Sequence, residues 1–145
     1  VLAKLPETQA VQQKLRNFTE KKEAELRSMT DNFQNELTRY EQRAGVITDQ
    51  ARQQEEQRLA QLEQEVLQAQ QDAQIEIQNR RQELLGPLFQ QINQAIDAVA
   101  TAKGLSYVLN TATSSGDLII LYASDEFQQK YDITQAVMEE LGIYN

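Results

Sequence analysis

Asp125-Glu126 and Arg80-Arg81 are two compact charged pairs whose residue types could hold an ion, a hard cation at the acids and a phosphate at the arginines. Neither pair has the company such a site needs. Adjacent loop acids without further carboxylates at metal-like spacing read as solvated, and helical arginines flanked by Glu76 and Glu83 read as solvated or weakly paired. Covalent chemistry has no carrier either. The chain contains no histidine and no cysteine, and it shows no serine elbow and no glycine-rich phosphate loop. The reading is of a protein that is not an enzyme and uses no cofactor or metal. What its side chains can supply is many weak apolar contacts spread over a large area. The candidates for such contacts are Leu59, Leu67 and Ile75 on a glutamine-rich stretch, with Val46 and Ile47 next to Gly45.

Helices must position these residues. Val11, Leu15, Phe18, Lys22, Leu26, Met29, Phe33, Leu37, Tyr40 and Ala44 follow one another in steps of four and three that repeat every eleven residues. Ala51, Leu62, Ala73, Leu84 and Ala95 carry the same repeat onward, with Val66, Ala69, Ile77, Leu88 and Val99 between them. Eleven residues in three turns is about 3.67 per turn, close to the natural 3.6, so two such helices pair nearly straight. The expected element is a long antiparallel helical hairpin over residues 6–86 with its tip at about 44–51. An arm of roughly 38 residues reaches on the order of 55 to 60 Å, which suits a projection. Leu59, Leu67 and Ile75 fall off the register, so they are better placed than the seam residues to touch something else.

Local signals mark the ends of these helices. Pro6 fits the first turn of the first arm, where its missing N–H is not needed, and Glu7 suits the positive end of the helix dipole. Thr48 or Asp49 can cap the return arm. Val46 and Ile47 then lie at the tip, either closing it or forming part of a surface offered to a partner. The many glutamines of the return arm, interleaved with Leu59, Leu62, Val66 and Leu67, make a soluble helix surface. Gly86 and Pro87 interrupt that arm, should kink it, and are the hinge candidates. Beyond them the apolar stripe widens through Leu88, Phe89, Ile92, Ala95, Ile96 and Val99, as where a helix enters a core of several elements.

Lys103-Gly104 is a helix stop. Residues 105–109 and 118–122 then read as two β-strands joined by a turn at 113–117. Asp132-Ile133-Thr134-Gln135 fits a capping box that opens a short helix through Val137 and Leu141. Two short strands leave open edges and need strands from elsewhere. Residues 1–5 and 87–145 would thus form a small body stabilised by self-association, because about 60 residues without disulfides bury little core. Tyr107, Val108, Leu109, Leu118, Ile119, Ile120 and Leu121 are the candidate residues for that body and its trimer contacts. The fold class is mainly α with a small β part, a hairpin projecting from an α+β body.

Charge excludes one class of partner. The net charge is −8, with ten basic and ten acidic residues in 1–58, a balance of −3 in 59–95 and of −5 in 96–145. No basic face exists to displace counterions from phosphates, so nucleic acid is not a partner, and the acidic balance disfavours a membrane surface. No run of about 18 apolar residues is present to cross a membrane, and no signal peptide is evident at Val1.

The order of elements resembles a known family. The helical hairpin, Glu-Leu-Leu-Gly-Pro-Leu at 83–88, Ala102-Lys103-Gly104, Tyr107-Val108-Leu109, Leu121-Tyr122-Ala123 and Asp132-Ile133-Thr134 before a helix are similar to the Skp/OmpH family of periplasmic chaperones. The resemblance implies a homotrimer whose hairpins hang like tentacles from a shared β-barrel-like core and enclose a cavity. It implies that unfolded outer-membrane β-barrel proteins are held there without ATP, in the periplasm. The family's body opens with a strand ahead of a segment like residues 1–6, so one strand per subunit is expected to precede Val1. The best-known members are basic, whereas this chain is acidic, which removes electrostatic capture of acidic clients. The alternative is a trimeric coiled-coil structural or adaptor module that binds one folded partner through complementary helices.

Overall fold

The structure, a computed structural model, describes residues 1–113 and 117–144. After a 3-10 turn at Leu2–Lys4, α1 runs Pro6–Arg43, α2 Asp49–Lys103, α3 Asp125–Tyr131 and α4 Thr134–Glu140. The chain divides into two compact units, Gln12–Leu84 and Val1–Val11 with Leu85–Asn145.

Helix ends follow local chemistry. Pro6 is the first residue of α1, and the Thr8 hydroxyl donates to the Leu2 carbonyl at 2.6 Å, tying the first turn to the segment before it. At the other end the Val46 and Ile47 N–H groups donate to the Arg43 carbonyl at 2.9 and 3.2 Å. Of the two candidate caps Thr48 does the work, its hydroxyl accepting from the Ala51 N–H at 3.2 Å, while Asp49 occupies the first turn of α2.

Within Gln12–Leu84 the two helices are antiparallel. Arg80 lies over the Phe18 ring, Lys22 pairs with Glu76, Glu36 with Arg58, Tyr40 with Glu56 and Arg43 with Glu55, so one number falls as the other rises. The α1 seam from Leu15 through Phe18, Leu26, Met29, Phe33 and Leu37 to Tyr40 is half-buried throughout, facing half-buried Leu62, Val66, Ala69 and Ile77 and buried Ala73 on α2. Thr19 and Thr30, beside that seam, satisfy their hydroxyls on the Leu15 and Leu26 carbonyls at 3.0 and 2.9 Å.

Leu59 corrects the expected register. It is only 6% exposed and therefore belongs to the seam, not to the outer surface. Between Ala51 and Leu62 the seam steps through Glu55 and Leu59, four, four and three residues. The helix face turns to take in the leucine because the alternative, Arg58, would have to bury a guanidinium. Arg58 instead reaches the edge and pairs with Glu36 and Glu55. Truncating Leu59 to alanine is accordingly expected to cost about 2 to 5 kcal/mol of hairpin stability, read as a lowered denaturation midpoint, whereas Leu67→Ala stays within about 0.5 kcal/mol.

In the other unit α2 passes through Gly86 and Pro87 as one helix and ends at Lys103. Gly104 adopts φ 65°, its N–H donating to the Thr101 carbonyl at 3.1 Å and that of Leu105 to Ala100 at 2.9 Å. Gly142, at φ 73°, ends α4 the same way on Glu139 and Met138. Both positions need the left-handed conformation that glycine adopts without steric cost. The core here joins Ala95 and Val99 of α2 to Ile133 and Val137, with Ile96, Leu105, Ala136 and Leu141 packed against it.

Three expectations about this unit are corrected. Among the described residues there is no strand. The β pairing there is one isolated antiparallel bridge from Ala112 to Leu118, beside a 2.9 Å bond from the Ile119 N–H to the Thr111 carbonyl. Two short strands gain stability by burying a face against further elements, and among the described residues none covers 107–109, 118, 119, 121 or 122, which are exposed. The part of the expected turn at Ser114, Ser115 and Gly116 lies outside the described residues. Asp125 and Glu126 are not loop acids but form the first turn of α3. Ser124 caps that helix, accepting from the Phe127 N–H at 3.2 Å. The capping box at 132–135 does not close. The Asp132 carboxylate accepts from the Thr134 N–H at 2.8 Å, while Gln135 turns to Glu139 at 3.1 Å. The Thr134 bonds hold the Asp132 carboxyl below the usual aspartate range.

Candidate functional site

Polar groups bridge the two helices of the Gln12–Leu84 unit at two levels. Midway, the Lys22 ammonium lies 2.6 Å from Glu76 and 3.3 Å from Glu25, which raises its pKa. Nearer the tip, Glu36, Arg39, Gln42, Arg43, Glu55 and Arg58 line an open depression of about 400 Å³. The Tyr40 hydroxyl donates to Glu56 at 2.5 Å, and that bond holds its proton on. The hydrogen bond from the Arg58 guanidinium, helped by its charge, keeps the Glu36 carboxyl below the ordinary glutamate range. A carboxyl whose folded value is depressed contributes stability above its unfolded value and loses it as pH falls through the folded one. Acidification should therefore loosen the hairpin around Glu36, and amide protection near Glu36 and Arg58, taken relative to the intrinsic exchange rate at each pH, should fall as pH drops through the acid range. In Glu36→Gln that step should be absent.

The proposed contact residues divide. Leu67 is 53% and Ile75 59% exposed, two turns apart on α2, and Val46 at the tip is exposed too. Ile47 is half-buried and Leu59 is core. Leu67 and Ile75 thus lie on the solvent side of a helix whose other face is occupied, and they can bind only what comes from outside the hairpin. Arg80, far from any phosphate cradle, pairs with Glu83 at 2.7 Å and stacks its guanidinium over Phe18 at 6.0 Å.

The second unit carries a different surface. Tyr107, Val108, Leu109, Leu118, Ile119 and Leu121 are all exposed, Leu121 at 85%, and Ile120 is half-buried. Sequence reasoning missed Tyr122, Phe127 and Tyr131, which are also exposed. Phe127 and Tyr131 pack with ring centroids 4.6 Å apart, and the Lys130 ammonium sits 5.2 Å from the Tyr131 ring. Their signal was available, an aromatic pair at i and i+4 behind the Ser124 cap. Gly86 meets open space where a Cβ would sit, so no close approach requires a glycine there. Among the described residues no group of acidic side chains converges as a metal site, and no helix is long and apolar enough to cross a membrane.

The arrangement suits non-covalent binding by apolar surface, in two separate places. A family model described as Outer membrane protein (OmpH-like) matches residues 1–141. Comparison with curated proteins found no match. A match that runs from Val1 to Leu141 takes in all four helices and the exposed apolar segment between α2 and α3. With its long helices, its bare apolar segment and that match, the chain belongs to the OmpH-like outer membrane protein family.

Proposed function

We propose that this chain is an ATP-independent holdase of the periplasm, whose copies assemble as a homotrimer and hold unfolded outer-membrane β-barrel proteins between their arms. The observation that carries the reading is the band of large apolar side chains at 107–109, 118, 119, 121 and 122, exposed in the single chain. At roughly 25 cal/mol per Å² of apolar area removed from water, each such side chain contributes on the order of 2 kcal/mol once covered. Three copies can complete with one another the sheet that one chain cannot build, closing a β-barrel-like core and removing its edges. Residues 1–5 and 87–145 are the trimerisation body in this reading, and residues 6–86 the arm. Gly86 and Pro87 form a hinge, since proline removes a ladder hydrogen bond and glycine adds backbone freedom.

Val46, Ile47, Leu67 and Ile75 supply the client contacts. They are few and scattered, so a client is held by dispersed contact that leaves it mobile and releasable. The test is the molar mass of the protein mixed with a urea-unfolded outer-membrane barrel protein diluted into buffer, measured by light scattering after chromatography. A soluble species of three chains and one client is expected, unchanged by ATP. Aggregated client beside an empty trimer would overturn the reading. Leu67→Ser or Ile75→Ser alone should change suppression of client aggregation by less than about twofold, because neighbouring contacts substitute for a lost one. A loss above about tenfold from either would indicate a single anchored partner instead.

A further inference from the structure

Charge enters the apolar seam of α1 at Lys22 and borders it at Glu36, beside Leu37. Lys22 occupies a seam step with its side chain 20% exposed, its ammonium 2.6 Å from Glu76 of α2 and 5.8 Å from the Phe18 ring. Glu36, 18% exposed, pairs with Arg58 of α2 and with Arg39 of its own helix at 2.9 Å. Each pair joins one largely covered group to a partner about half exposed, Glu76 at 48% and Arg58 at 45%; such pairs add little stability, and apolar residues of similar volume serve a seam as well or better. The apolar pattern, for its part, does not say which turn of α2 should face which turn of α1. It recurs along both helices, so a slide by one turn, about 5.4 Å, still sets apolar against apolar. At the tip the bonds are local, from the Val46 and Ile47 N–H groups to the Arg43 carbonyl and from the Ala51 N–H to the Thr48 hydroxyl, and they join neither arm to a chosen turn of the other.

We propose that Lys22 and Glu36 together form a two-charge register code that admits one alignment of the hairpin arms. The two are of opposite sign, and so are their partners. Sliding α2 by a turn one way brings Arg80 to Lys22 and Leu62 to Glu36, a repulsion and a carboxylate left with Arg39 of its own helix but no partner on α2. Sliding it the other way gives Lys22 Asp72, but leaves Glu36 with Gln54 and Arg43 with Ala51 in place of Glu55. Only the observed alignment satisfies both charges, and Arg43–Glu55 at 3.7 Å extends the same code toward the tip. A polar position that fixes register at some expense of stability is a recognised device of paired helices. The shape of each arm, and which residues it turns outward, depend on that register.

The chain has no cysteine, so spin labels at Asn35→Cys and Gln78→Cys report one distance between the arms, measured with labelled protein diluted in unlabelled. The two positions are exposed and well separated along the helix axes, so a slip changes their spacing almost in full. The parent should show one narrow distance. Lys22→Met with Glu36→Leu should keep the helix content and the melting temperature or raise it, yet add a second distance displaced by about 5 Å. A distribution as narrow as the parent's would overturn the proposal. Charge reversal decides the matter independently of how that variant folds. Glu76→Lys should displace the distance and Lys22→Glu with Glu76→Lys should restore it, whereas Glu76→Lys at the parent's distance would refute the code.

Discussion

Val137→Asp should unfold the unit made of Val1–Val11 and Leu85–Asn145. Val137 is 2% exposed and shares its core with Ala95, Val99 and Ile133, none of which can pair with a carboxylate. The aspartate must lie unpaired in that core or take up a proton, and either way the expected loss is about 4 kcal/mol or more. A unit whose core is this small has little reserve, because small domains bury a low fraction of their surface. Amide exchange should show protection lost across residues 85–144 and retained in 12–84, whose antiparallel seam does not include Val137. Val137→Ala, which removes only apolar volume, should cost less and leave the unit folded. Full retention of protection in Val137→Asp would mean that this core does not hold the unit together.

On the proposal that the chain assembles as a homotrimer through residues 107–109 and 118–122, Leu118→Glu combined with Leu121→Glu should reduce the molar mass in solution to one third. Both leucines are exposed in the single chain, so the substitutions leave its own core untouched, and circular dichroism should report unchanged helix. Covered by neighbouring copies, the two carboxylates would be desolvated without partners, and each would recur three times around the assembly. On the same proposal client binding should be lost with the assembly, since separate hairpins would enclose no cavity. An unchanged mass would remove residues 118–122 from the assembly surface. An unchanged mass with lost holding would instead move those residues to the client side.

Much of the helical architecture was legible because it is local. A helix start such as Pro6, a cap such as Thr48 and a stop such as Lys103-Gly104 act within one turn, and each of them marks an observed helix end. The solvent exposure of Leu67 and Ile75 was legible for the same reason, since both lie off the eleven-residue repeat. Leu59 was not, although it stands in the same helix. Whether residue 58 or 59 turns inward depends on the neighbouring arm, where Glu36 receives the Arg58 guanidinium. The cap of α3 was equally local but was obscured by the acids that follow Ser124, which read as a solvated loop until the Ser124 hydroxyl is seen accepting from Phe127.

By itself the sequence determined where α1 and α2 begin and end and which stripe of each is apolar. These follow from residue type and from a helical period that holds whatever the rest of the chain does. Only the tertiary structure decided the fate of 105–109 and 118–122. Their β-branched and aromatic residues favour strands, but a strand is stabilised by partners distant in the chain, and among the described residues the single chain offers an isolated bridge between Ala112 and Leu118. It likewise decided that Lys22 and Glu36 meet Glu76 and Arg58, an alignment set by pairwise charge between two helices and invisible in the periodicity of either one.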